Sequence, residues 1–189
     1  MYRGSGRPAP HQGEWLFRGH GGAVAHVARR IDGLAVVPAA FLAHNAEEVL
    51  SIPIMLPRVQ AKTTSLLGGW ATVPSAEQYL VALAVLTAAA SALWLLALRW
   101  ASLSYALVVL QAAMAVNALS HLGGAVLLGG CAPGVVAAVL VEAVVSVVVY
   151  RRITRAGWMS RRQWVLLPVL ALVLHGPVLC GAALLFGSS

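Results

Sequence analysis

Five apolar runs, joined by short polar or arginine-bearing connections, leave this chain few ways to fold. They cover residues 33–56, about 79–98, 103–128, 135–150 and about 164–186. About 20 apolar residues in a helix cross the roughly 30 Å hydrocarbon core of a bilayer, and every run but 135–150 meets that length outright. That run reaches it with its flanks. Only 10% of the residues are charged, against about a quarter in soluble domains. The expected fold is therefore all-α: a polytopic membrane bundle of about five transmembrane helices over 31–189, behind a polar lead over 1–30. The lead is rich in Gly and Arg and has no apolar core of signal-peptide length. His11, His20 and His26 within it read as solvated.

The net charge of +7 raises the question of nucleic acid. The arginines, however, flank the apolar runs and form no basic stripe, so no nucleic-acid partner is expected. With the N-terminus inside, eleven of the 13 Lys and Arg residues face the cytoplasm and two face outward. The excess of positive charge on inner loops then puts the N-terminus in the cytoplasm and the C-terminus outside. Cys131 and Cys180 fall toward the same outer side and read as buried or interfacial thiols, with a disulfide left open.

Within the first run stands His44-Asn45-Ala46-Glu47-Glu48. A histidine and two carboxylates in an apolar span are unfavourable unless paired, metal-bound or protonated. Spacings of three and four residues put His44, Glu47 and Glu48 on one helix face. Pro38 and Pro53 are expected to bend this helix and free carbonyls near the cluster. Residues 57–78 read as a connection, either a surface loop or a partly interfacial lid. The third run carries Gln111, Asn117 and His121, the fourth Glu142, and the fifth His175 beside Gly176-Pro177. Counting 1.5 Å per residue puts these groups and the first-run cluster roughly 12–27 Å from the cytoplasmic edge. One convergent site is the economical reading. Asn117 and His175 also suit plain interhelical packing, and Glu142 a protonated core residue.

Two stretches together resemble the HXXEE-domain family of bacterial membrane proteins. The first is His44-Asn45-Ala46-Glu47-Glu48, which fits its naming motif; the second is Asn117 to His121, followed by Pro133-Gly134. Trp70 fits loosely, and the likeness covers about 33–152. The resemblance implies a compact helical protein of the bacterial cytoplasmic membrane with a polar site, and supplies no reaction.

Two enzyme chemistries fit the cluster. In the first, His44, Glu48 and His121 ligate a divalent metal, zinc or iron, which activates water or oxygen beside a lipophilic substrate. Glu47, Glu48, Asn117 and Glu142 are then the candidate catalytic groups. The order His-xx-Glu departs from the Glu-xx-His of carboxylate di-iron bundles. In the second, without metal, Glu47 or Glu48 is held as an acid and protonates an alkene or epoxide of an isoprenoid-like molecule, as in isomerases and terpenoid-type cyclases. His44, Asn117 and His121 would orient it. A third reading is a proton-coupled carrier or channel subunit, for which five spans require an oligomer. The expected partners are the bilayer, a lipophilic substrate and, in one reading, a second copy of the chain.

Overall fold

The structure is a computed structural model that describes residues 34–68 and 73–178. The expectations placed on the lead, on Trp70, on Cys180 and on the end of the fifth run lie outside the described residues. Everything regular among them is helical. Helix α1 is Val36–Leu67, α2 is Ala76–Arg99, and a 3-10 turn, Ala101–Leu103, leads into α3, Ser104–Leu128. Helix α4 runs over 135–156 and contains a π turn, Ala138–Glu142; α5, Arg161–Val173, ends in a second π turn, Leu174–Val178.

Helix α1 corrects one expectation: it does not stop near residue 56. Its 32 residues make about 48 Å of helix, well beyond the bilayer core. Arg58, Gln60, Ala61 and Lys62 are good helix formers, and the turn ends only at Gly68, whose φ of 60° suits a residue without Cβ. The 57–78 connection thus shrinks to 68–75, too little for a lid of the kind expected. Pro38 lies in the first turn, where its missing N–H has no partner to lose. Pro53 and Pro57 lie inside the helix and leave the carbonyls of Val49 and Pro53 without their amide donors.

Helices α2 and α5 both start with a capping box. Ser75 and Gln78 cap each other's backbone amides at α2, and Ser160 and Gln163 do the same at α5. Ser75→Ala and Ser160→Ala are each expected to cost about 1 kcal/mol. Unfolding in mixed micelles measures it.

Helix α3 is the hub and packs against all four others. The largest buried cluster joins Val37, Ala97, Leu107, Val149, Ile153 and Leu167 from five helices, and Ala40, Ala90, Ala112, Ala113 and Ala138 let backbones approach closely. Outside, large apolar side chains stand free: Leu50 is 74% exposed, Ile54 80% and Val126 81%. Two stretches, Ala76–Arg99 and Ala101–Leu128, are long and apolar enough to cross a membrane.

Candidate functional site

The polar residues of α1 divide between partners on three helices. Asn45 leaves the group and donates from Nδ2 to Thr87 Oγ1 of α2 at 2.6 Å. His44 is buried, at 1% exposure, and its Nε2 lies 3.4 Å from Glu48 Oε2 one turn later. The other oxygen, Glu48 Oε1, lies 3.5 Å from His121 Nε2 of α3. The two imidazoles stand 4.8 Å apart between centroids, tilted by 59°. Asn117, one turn before His121, brings Nδ2 to 2.9 Å from His44 Nε2.

Glu142 reaches the group from α4 through the π turn. There the Ala143 N–H bonds Ala138 O, so one extra residue rotates what precedes it by about 100° relative to a plain α-helix. Glu142 is fully buried, with Oε1 3.4 Å from His44 Nδ1. Neither of its oxygens makes a hydrogen bond. Glu47 does something different. It accepts the Val136 N–H at 3.1 Å and the Ala137 N–H, and so anchors the N-terminus of α4, where a carboxylate meets the positive end of the helix.

A short turn covers the cluster. Gly134 has φ +75°, and a Cβ there would lie 2.8 Å from Cε1 of both His44 and His121 and 3.0 Å from Glu48 Cγ. The backbone of Pro133 lies beside the His121 ring. His121 Nε2 has no hydrogen-bond partner among the described residues. The Glu142 carboxylate stands 3.4 Å from His44 Nδ1 without hydrogen-bonding it. The Nε2 atoms of both rings face the Glu48 carboxylate. His44, Glu48 and His121 each offer a ligand atom within 4.8 Å of the others.

The expected convergence of four helices is thus a convergence of three. His175 of α5 bonds Ser120 Oγ at 2.9 Å on the neighbouring face of α3, as a packing histidine does. Gln111 donates to Ser146 Oγ at 2.9 Å in the buried interface with α4. Three roles escaped the sequence reading: the cap made by Glu47, the cover made by Pro133-Gly134, and Arg58. Arg58 Nη2 donates to Leu128 O at 2.6 Å and ties α1 to the carbonyl end of α3. The Pro-Gly pair carried a signal as part of the stretch that resembles the family, but the likeness gave it no role.

A family model described as "Protein of unknown function with HXXEE motif" matches residues 35–150. No curated protein and no solved structure matches the chain.

Proposed function

The chain belongs to the HXXEE family, and since the matched stretch contains the whole cluster, we propose that the cluster is the family's working site: a divalent-metal centre in a membrane-embedded enzyme that acts on a lipophilic small molecule. The observation that carries this reading is the convergence of two histidine Nε2 atoms on one carboxylate, at 3.4 and 3.5 Å. Tetrahedral ligands at bonds of about 2.0–2.1 Å stand roughly 3.3–3.4 Å apart. Two histidines and one glutamate with an open position make a catalytic zinc set, and equally the two-histidine-one-carboxylate set of non-haem iron. Such an ion polarises an oxygen or makes a bound water nucleophilic.

The residues around it have distinct tasks. Glu142 and the Pro133 backbone pack behind the rings of His44 and His121. Asn117 contacts His44 Nε2 at 2.9 Å, so an ion bound there would displace its amide, which would then face a bound water or substrate oxygen. Glu47 holds α4, and with it Glu142, in position. Glu48 and His121 keep 13% and 14% side-chain exposure, next to the outward apolar side chains of Val49, Leu50 and Leu122. An apolar substrate can approach from that side.

The bundle is read as five spans of the bacterial cytoplasmic membrane with the N-terminus inside. The apolar belt of exposed Leu, Ile and Val supports this, as do Trp94, Trp100, Trp158 and Trp164 clustered toward the end where the arginines lie. Fully buried Glu142 favours a second reading, in which the site works without metal. A carboxyl group with no hydrogen bond of its own is suited to hold a proton for acid catalysis on an alkene or epoxide.

Elemental analysis of the detergent-purified chain tests the choice. About one zinc or iron per chain is expected, falling to background in Glu48→Ala and His121→Ala. A metal-free parent prepared without chelator would sink the metal reading and leave the acid.

A further inference from the structure

We propose that the arginine-rich end of the bundle binds one anionic lipid by its phosphodiester, in a cleft between the start of α3, the end of α4 and the start of α5. The cleft measures about 190 Å³, below the roughly 300–1,000 Å³ that encloses a drug-sized ligand. It suits a headgroup whose acyl chains remain in the bilayer. Ser104 and Tyr105 line it from α3, Ile153 from α4, and Trp158, Met159 and Gln163 from the α4–α5 link and α5.

Ser104 carries the inference. The residue is 9% exposed, and its Oγ has no hydrogen-bond partner among the described residues. A buried hydroxyl left in that state is unfavourable unless an acceptor enters the cleft beside it. The Tyr105 hydroxyl already donates to Gln163 O at 3.0 Å and braces α3 against α5, so the cleft is held open by a fixed contact. Trp158 and Met159 add an apolar wall suited to the glycerol and first methylenes.

No arginine lines the cleft, but five adjoin its lining residues in sequence and make this end of the bundle attractive to an anion. Arg152 and Arg155 flank Ile153, Arg161 and Arg162 precede Gln163, and Arg99 lies two residues before the lining Ala101. All five are exposed. The carboxylates among the described residues, Glu47, Glu48, Glu77 and Glu142, sit in the cluster or at the opposite end of α2. Membrane orientation explains arginines on this side, but not a cleft that buries an unpartnered hydroxyl among them. Basic groups at the inner surface attract anionic lipid, and the hydroxyl adds a fixed point of recognition. The proposal rests on the membrane reading above and is independent of the metal.

Native mass spectrometry of the full chain tests it, after titration in detergent with phosphatidylglycerol, phosphatidylcholine or inorganic phosphate. One phosphatidylglycerol per chain is expected, held at least tenfold more strongly than phosphatidylcholine. Ser104→Ala should weaken retention about tenfold, as loss of a hydrogen bond to a charged group does, while Ser104→Thr keeps it. Arg161→Gln with Arg162→Gln should weaken it too. Equal retention of both lipids would overturn the proposal. So would a Ser104→Ala variant that binds like the parent while the arginine variant does not, which is diffuse attraction to a basic face. Displacement of lipid by equimolar inorganic phosphate would reassign the cleft to a soluble anion. If circular dichroism shows Ser104→Ala unfolded, Ala101→Leu fills the cleft and carries the same expectation. A chain soluble without detergent would instead overturn the membrane reading itself.

Discussion

Gly134→Ala is expected to abolish the metal binding proposed for the cluster and to lower the unfolding midpoint sharply, although residue 134 offers no ligand. Two costs combine. The backbone at φ +75° disfavours any residue with a Cβ by about 1–2 kcal/mol. The added methyl would also lie 2.8 Å from both imidazole Cε1 atoms and 3.0 Å from Glu48 Cγ, and such overpacking costs about 1–3 kcal/mol. These neighbours cannot retreat cheaply. His44 is wedged against Glu142, and His121 lies beside the Pro133 backbone. The turn must therefore lift, and it takes the Pro133 carbonyl and the start of α4 with it. Metal analysis and unfolding in mixed micelles read the two effects separately. Parent-like metal content in a folded Gly134→Ala chain would show that the cover is no part of the site.

His44→Ala is expected to be the most destabilising single change in the cluster, by about 3–5 kcal/mol, since it strands a buried partner. The partner is Glu142, fully buried, whose Oε1 lies 3.4 Å from His44 Nδ1. The companion change shows the cause. Glu142→Leu together with His44→Ala replaces a stranded carboxyl by an apolar side chain and should recover about half of the loss. The comparison is made in chelator, so that lost metal does not enter the measured stability. Equal instability of the single and the double variant would place the cost in the cavity left by the imidazole.

The contrast between Glu47 and Glu48 shows how far spacing can be read. Both share a face with His44, because three and four residues are one helical turn. The sequence therefore placed both in one catalytic group. The structure separates them: Glu48 joins the histidines, while Glu47 turns to the first amides of α4. Spacing within α1 cannot carry that distinction, since it depends on what the neighbouring helix presents. Glu142 is similar. A regular 3.6-residue count assigns it a direction, and the π turn changes that direction by one residue. His175 matched the cluster in depth but not in direction, and it bonds Ser120.

What the sequence determined by itself follows from local and additive physics. Long apolar runs, capping boxes and a glycine after α3 specify helices because each acts through its own few residues. His44, Glu48 and His121 could be singled out because ionisable groups in apolar runs are unfavourable wherever the helices sit. Only the tertiary structure decided which of those groups meet. The rotation of α4 through its π turn and the descent of Pro133-Gly134 onto the imidazoles are settled by packing against residues far away in the chain. Non-local contacts of that kind leave no period in the chain.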